Sequence, residues 1–460
     1  MEKFFSTLGG KKVAFIGGGV AHRDLLVMFA KAGAKVTLCD KRSLADFGAF
    51  GDELLGLGVR LSLGENYLNG LEGQELILRT PGFEFYTPEL QAAGKEGTEI
   101  TSEIELFFEY CACPIIGVTG SDGKTTTTSL IAAICEKAGK TVHLGGNIGR
   151  SMLPIVDGIK PEDIAVVELS SFQLISMHHS PQTAVVTNVA PNHLDHHRDM
   201  DEYVNAKRNI LLFQNRENSV AVLGLENERT RGMEKDAPGQ VRWFSRLRKV
   251  QNGAFLADDG KLCLAVNGDT LPVIHKNEVA LRGEHNIENL LAAFAALSKE
   301  APTEAMAEVA RNFSGVEHRI EPVRTLDGVD WYNDSIATSP TRVIAALKSF
   351  DQKLIVIAGG YDKNIPFEPL AEEAPGHIKL LILTGPAARK IETAVRKAPG
   401  YEENEPAILR AETMEEAVKA ARENAQKGDI VILSPACASF DAYPNFEARG
   451  VHFKDLVNRL

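Results

Sequence analysis

The sequence predicts an α/β protein of three domains: an N-terminal Rossmann-like sheet, a central P-loop mononucleotide-binding sheet and a C-terminal Rossmann-like sheet. Three observations predict it. The chain has 460 residues, whereas single hydrophobic cores stop growing at about 250–300. Short apolar runs alternate with helical runs along nearly the whole length, the pattern of parallel sheets with sites at the C-terminal ends of their strands. A glycine-rich turn carrying Lys124 lies far inside the chain, after one complete strand–helix–strand unit, and opens a second. These place the domains at 1–101, 102–313 and 314–460.

Bulk composition narrows the function. Hydrophobic residues make up 44% and charged residues 24%, values of an ordinary soluble globular protein. The N-terminal residues hold no signal-peptide core, and no later run approaches the ~18 apolar residues of a membrane span. A cytoplasmic protein that does not enter the membrane is expected. The formal charge of −12 argues against a nucleic-acid groove, which needs clustered Lys and Arg. Anionic small substrates remain compatible, because helix N-termini can bind them within an acidic protein. Six cysteines form no CxxC pair and no zinc-type spacing, so reduced, mostly buried thiols are expected.

The first elements read as βαβ. Lys12–Ile16 is an apolar strand, Gly17-Gly18-Gly19 a turn, Arg23 to Ala32 a helix, and Lys35–Cys39 a second strand ending at Asp40. An acid there can hydrogen-bond a sugar or base. His22 stands where the third glycine of GxGxxG would fall, which points to a Rossmann-like fold holding a ligand other than a dinucleotide. A helical run, Glu103–Cys111, then leads to the strand Ile115–Val118. Further strands are expected at Ile164–Val167 and Ala184–Thr187, with a peripheral sheet over Val220–Leu281 and a helix over Asn286–Ser298. The third unit begins near Phe313, with strands at Leu354–Ala358, Leu380–Leu383 and Ile430–Leu433.

The stretch Gly117-Val118-Thr119-Gly120-Ser121-Asp122-Gly123-Lys124-Thr125-Thr126 is a phosphate loop. Its glycines let successive backbone N–H groups converge on phosphate oxygens, and the helix that follows adds the partial positive charge of its N-terminus. Lys124 can reach the β- and γ-phosphates, and the Thr125 hydroxyl can ligate Mg²⁺. The spacing departs from GxxxxGK[ST], because Val118 stands at the first glycine. Glu168 follows the strand Ile164–Val167, where an acid beside a phosphate loop is expected to coordinate Mg²⁺. The next strand runs into Asn192-His193-Leu194-Asp195-His196-His197. Zinc would need further Cys or His partners, and none stand at matching distances. His193 reads better as a Mg²⁺ or substrate ligand, with His196 and His197 solvated. Lys207, on a helix fourteen residues later, reads by its chemistry as an exposed helical lysine.

Taken together the motifs resemble the Mur ligase family, and within it the branch that adds D-glutamate in peptidoglycan synthesis. The matching runs are 117–127, Gly145-Gly146-Asn147-Ile148-Gly149, Val167–Leu174, Asn192–Asp195, Gly283–Asn289 and His318-Arg319-Ile320-Glu321. They continue through Asn333-Asp334-Ser335 with Thr338, Gly359-Gly360 with Asp362-Lys363, and Leu433–Asp441, in the family's order over nearly the whole chain.

The resemblance implies an ATP-dependent ligase joining D-glutamate to UDP-N-acetylmuramoyl-L-alanine through an acyl phosphate. It implies two Mg²⁺ ions held by Thr125, Glu168, His193 and a carbamylated Lys207, with Lys124 completing the catalytic set. Gly117, Gly120, Ser121, Asp122, Gly123, Lys124, Thr125, Thr126, Asn147, Asn286, Asn289, Arg319 and Asp334 would surround ATP. Asp40, Arg42, Gly82 and Asn147 would hold the UDP-substrate, and Thr338, Lys363, Ser439 and Phe446 the D-glutamate. A monomer is expected, in which closure of the third domain completes the site. Two positions depart from the family pattern: His22 in the first loop, and Ile336, where many members carry lysine. A sibling ligase adding another amino acid, a folylpolyglutamate synthase, and a nucleotide-hydrolysing switch are the competing readings. The last would need neither Lys207 nor the Lys363 pocket.

Overall fold

The computed structural model describes residues 3–148, 151–191, 197–313, 315–362, 365–403 and 405–460. They form three sheets in two compact units, the first spanning 1–280 with 284–312 and the second 281–283 with 313–460.

The first sheet holds β1 (Lys12–Ile16), β2 (Lys35–Asp40), β3 (Arg60–Leu63), β4 (Leu76–Arg79) and β5 (Glu99–Thr101). All pairs are parallel, in the order β3-β2-β1-β4-β5. β1 and β2 are buried along all but their first residue, as expected of strands covered on both faces. The helix Val20–Lys31 presents Leu25, Leu26 and Phe29, all fully buried, at the spacing of one helical face.

The central sheet comprises β6 (Ile115–Thr119), β7 (Val142–Gly146), β8 (Ile164–Glu168), β9 (Thr183–Val186), β10 (Val220–Gly224), β11 (Gln240–Ser245), β12 (Gly253–Leu256), β13 (Lys261–Val266) and β14 (Asp269–His275). Their order is β14-β13-β12-β11-β10-β9-β6-β8-β7. The stretch expected to form a peripheral sheet therefore extends the central one. β11 pairs with β9's neighbour β10 in parallel, and β12, β13 and β14 then run antiparallel to one another. Short turns join β12 to β13 and β13 to β14 with no crossover helix, and such short connections impose antiparallel pairing. Phe15 and Phe29 of the first sheet's layer share one buried cluster with Phe107, Val167 and Leu169 of the second, so one continuous core joins these two sheets.

The second unit holds β15 (Glu321–Leu326), β16 (Val329–Asn333), β17 (Leu354–Gly359), β18 (Ile378–Thr384), β19 (Ala407–Arg410) and β20 (Ile430–Leu433). The order is β15-β16-β20-β17-β18-β19, parallel except for the β15–β16 hairpin. Uniform parallel pairing therefore fails at both hairpin edges. Separate apolar layers lie on its two faces. Among the described residues, no helix is long and apolar enough to cross a membrane. None of the six cysteines is in a disulfide, and only Cys111 is not fully buried.

Candidate active site

The phosphate loop is shaped by β6 and by the helix Lys124–Lys137, whose Leu130, Ile131 and Ile134 are fully buried. Gly123 caps that helix at φ 77°, and a Cβ there would collide with Asn289 Oδ1. Gly117 lies inside β6, against Pro181 and Leu169. Asp122 and Ser121 are fixed from β9's far end: Asn188 Oδ1 accepts from the Asp122 amide at 3.0 Å, and Asn188 O from the Ser121 amide at 2.8 Å. Thr125 is half-buried and Thr126 buried. Asn289 Oδ1 accepts from Thr127 Oγ1 at 3.3 Å, and its Nδ2 donates to Asn286 Oδ1 at 3.0 Å.

Two ammonium groups meet at one carbonyl here. Lys124 Nζ donates to Gly120 O at 3.0 Å and Ser121 O at 2.9 Å. Lys207 Nζ donates to the same Gly120 O at 2.8 Å and to Thr119 Oγ1 at 3.4 Å. Lys207 is only 1% exposed, which corrects its reading as a solvated helical lysine. The helix Met200–Leu212 turns Tyr203 and Lys207, four residues apart, onto one buried face. The ammonium lies 4.6 Å from the Tyr203 ring centroid. Tyr203 OH in turn meets Ser121 Oγ at 3.0 Å. Burial first, and the neighbouring Lys124 charge second, push the Lys207 ammonium well below the usual lysine range.

Glu168 ends β8 fully buried. Its Oε1 accepts from Asn147 Nδ2 at 2.7 Å, while Oε2 has no hydrogen-bond partner. A buried carboxylate oxygen left without a donor is costly, and a divalent cation satisfies it. The residues present therefore fit Mg²⁺. His193 and His196 lie outside the described residues. His197 is buried, not solvated: its ring stacks on Phe172 at 5.2 Å, Nε2 meets Ser171 Oγ at 2.9 Å and Nδ1 meets Glu202 at 3.2 Å.

At the strand ends of the first sheet, Asp40 and Arg42 pair with each other. Asp40 Oδ2 accepts from the Gly18 amide at 2.8 Å and from Arg42 at 2.8 Å, and Oδ1 from Arg42 Nε at 3.0 Å. Burial pushes this carboxyl up, but Arg42 and the backbone amides outweigh it and hold it at about 2. The guanidinium lies over the Phe47 ring at 4.3 Å. His22 fills the place expected of a glycine by burying its ring against Phe15 and donating Nδ1–H to Gly17 O at 2.9 Å. Burial lowers it to about 4, so it is neutral at pH 7. Gly82 is exposed in the turn after β4.

In the second unit, Asp334 follows β16. Its Oδ2 accepts from Ser434 Oγ at 2.7 Å and Oδ1 from the Ile320 amide at 3.3 Å. Burial raises it to about 7 against the opposing pull of Ser434 and Arg319. His318 and Ile320, on either side of Arg319, both have positive φ, 64° and 44°; such strain, of order 1–3 kcal/mol each, is held in place at functional sites. Ser439 is buried, and Phe446 opens the last helix, where its carbonyl accepts from Ser335 Oγ at 2.8 Å. Thr338 and Arg319 are half-buried, and the Ile336 amide donates to His318 O at 3.2 Å. Lys363 lies outside the described residues.

Residues 118–297 match the Mur ligase middle domain, and residues 318–437 the Mur ligase glutamate ligase domain. A protein of Clostridium botulinum (strain Hall), named UDP-N-acetylmuramoylalanine–D-glutamate ligase, is 48% identical over 459 residues, covering 100% of this chain and 99% of its own. The chain belongs to the Mur ligase family. A Clostridium novyi protein of the same name is 46% identical at the same coverage. The fold is that of a Mur ligase as well. A UDP-N-acetylmuramate–alanine ligase from Thermotoga maritima superposes with a TM-score of 0.56 at 18% identity, covering 97% of this chain and 99% of its own. A pseudomurein peptide ligase from Methanothermus fervidus gives 0.55 at 19%, covering 98% and 100%.

In this Mur ligase the first unit gathers Gly120, Ser121, Asp122, Gly123, Lys124, Thr125, Thr126, Asn147, Glu168, Lys207, Asn286 and Asn289 around one loop, with Asp40, Arg42 and Gly82 at the first sheet. Arg319, Asp334, Thr338, Ser439 and Phe446 lie on the second unit. Residue reading missed Tyr203 and the burial of His197. The four-residue spacing of Tyr203 to Lys207 was the available signal; nothing in the histidine run marked His197 as buried.

Proposed function

We infer that this chain joins D-glutamate to UDP-N-acetylmuramoyl-L-alanine at the expense of ATP. One observation carries it beyond family membership: Lys124 and Lys207 converge on Gly120 O beside Glu168, whose Oε2 lacks a partner. A phosphate-hydrolysing switch has no use for the second, buried amine.

In this reading the three parts divide the work: 1–101 seats the UDP-sugar, 102–313 the ATP, and 314–460 the amino acid. The N-terminus of the helix Lys124–Lys137 and the Lys124 ammonium bind the phosphates and offset charge as the γ-phosphoryl passes to the alanine carboxylate. Two Mg²⁺ ions would be held by Thr125, Glu168, His193 and Lys207, supplying further charge neutralisation when bound. Burial disfavours the charged form of Lys207, and its amine nitrogen would add to the carbon of CO₂ with loss of a proton; the carbamate is an oxygen donor suited to Mg²⁺. Asp40 and Arg42, locked together, present the guanidinium face to the uridine end. Asn147, Asn286, Asn289, Arg319 and Asp334 serve the nucleotide. Thr338, Lys363, Ser439 and Phe446 hold D-glutamate so that its amine attacks the acyl phosphate and phosphate leaves. The reaction is assigned to the cytosol and to a monomer.

The test supplies ATP, UDP-N-acetylmuramoyl-L-alanine and D-glutamate, then follows ADP release and product mass. ADP release that requires D-glutamate, with a mass gain of one glutamyl unit, is expected. ADP release indifferent to D-glutamate would overturn the assignment.

A further inference from the structure

Arg79, the last residue of β4, is 1% exposed and reaches in two directions. One terminal nitrogen donates to three carbonyls of the turn that follows: Thr80 at 3.3 Å, Pro81 at 3.2 Å and Phe83 at 2.8 Å. The other donates to Phe172 O at 2.7 Å and Ser176 Oγ at 3.1 Å. The first group is the turn bearing Gly82. The second belongs to the helix Ser171–Leu174 and its exit, just past Glu168 at the end of β8. One side chain thus ties the candidate UDP-sugar turn to the candidate phosphoryl-transfer strand end, 93 and 97 residues away in the chain.

Among the described residues the charge on this strut is uncompensated. All of its acceptors are carbonyls or a hydroxyl, Nε has none, and no described carboxylate is among its partners. Burial alone lowers the guanidinium to about 10. Buried charges are ordinarily paired, so the missing partner points to an anion. The charge is felt at His22, which it lowers further, and His22 holds Gly17 O of the first glycine turn. Thr80 Cγ2 stands 3.2 Å from where a Cβ on Gly17 would lie, so the two turns abut. A diphosphate is the anionic part of the nucleotide end of a UDP-sugar, and two adjoining strand-end turns are where a nucleotide ligand sits in such a sheet. The Phe172 carbonyl that Arg79 holds belongs to the residue whose ring stacks on His197.

We propose that Arg79 is a positioning residue that supplies the counter-charge for the diphosphate of the UDP-sugar and fixes its turn against the helix after Glu168. It thereby aligns the acceptor carboxylate with the phosphoryl donor. This rests on the UDP-sugar ligase reading above.

The experiment uses the full chain and compares Arg79→Met, Arg79→Lys and Ser176→Ala. Loss of the buried counter-charge predicts that Arg79→Met raises KM for the UDP-sugar about tenfold or more, with KM for ATP and D-glutamate within about twofold. Arg79→Lys, which keeps the charge but not the planar fork, restores that KM while kcat stays several-fold down. Ser176→Ala, a small change that should not compromise folding, lowers kcat with KM unchanged. Calorimetry with uridine and UDP as probes should show Arg79→Met weakening UDP alone. An unchanged UDP-sugar KM in Arg79→Met, or an equal rise for all three substrates, overturns the proposal. If Arg79→Met does not fold, Arg79→Lys with parental kcat and Ser176→Ala with parental kcat overturn it instead. Failure of the parent chain to bind the UDP-sugar would instead strike the ligase reading itself.

Discussion

Two cations sharing one carbonyl acceptor are stable only if something anionic joins them or one gives up its proton. Gly120 O receives both Lys124 and Lys207, and Lys207 is the one buried against Tyr203 with its ammonium pushed well below the usual range. The unprotonated amine is the nucleophile toward CO₂, and burial shifts Lys207 toward that form, whereas an ordinary exposed lysine is protonated. Lys207→Ala should therefore cut turnover by at least about a hundredfold, the scale of losing one preorganised electrostatic contact. The parent enzyme depleted of CO₂ should regain rate on adding bicarbonate, and the alanine variant should not. Initial rates in degassed and bicarbonate-supplemented buffer check this; a Lys207→Ala enzyme of parental activity, unmoved by bicarbonate, would refute the carbamate. The role of Lys207 could be placed from the family motif, but its burial could not. Burial depends on which face of the helix Met200–Leu212 meets the sheet, and the tertiary packing that decides it is not written in the local pattern.

The loop itself works because a strand end and a helix N-terminus are joined by a cap that only glycine fits. Gly123 has φ 77°, and its missing Cβ leaves room for Asn289 Oδ1, which also accepts from Thr127. Gly123→Ala pays about 1 kcal/mol for the left-handed backbone and must also displace Asn289 from the helix Glu284–Ala296. The expected outcome is a folded enzyme with a modestly lower Tm whose ATP affinity falls at least about tenfold, one lost charge-assisted contact to phosphate being worth that much. Titration calorimetry with a non-hydrolysable ATP analogue measures it; parental affinity would mean the loop tolerates a Cβ. Elements of this kind were legible, since an apolar strand, a glycine turn and an apolar helix face each leave a local signature. The segment 220–281 was less so. Its short β runs were visible, but whether they extend the central sheet or stand apart is set by β10 pairing with β9, a contact between distant residues. The reversal to antiparallel at β13 follows from the two tight turns on either side of it.

At the scale of the molecule, two buried titratable groups pull the two units in opposite directions with pH. His22, in the first unit, is lowered from 6.5 to about 4. The unfolded chain takes up its proton first, so its contribution is present above pH 6.5 and is lost as pH falls toward 4. Asp334, in the second unit, is raised from 3.8 to about 7. There the unfolded chain loses its proton first, so stability is present below 3.8 and is lost as pH rises through 7. Between pH 7 and 5 each shift is worth about 2 kcal/mol at 1.36 kcal/mol per unit of pKa. The first unit should weaken and the second strengthen over the same interval. Each unit has its own buried core, so urea unfolding followed by tryptophan emission offers a separate reporter in each: Trp243 in the first and Trp331 in the second. Lowering the pH from 7 to 5 should move the Trp331 transition to higher urea relative to the Trp243 transition. His22→Asn keeps a donor for Gly17 O without titrating, and Asp334→Asn keeps the carboxyl's shape. The first should remove the shift of the first unit only, and the second that of the other. Single-tryptophan chains whose two midpoints move together with pH, in the parent and in both variants, would show that neither buried group governs the stability of its unit.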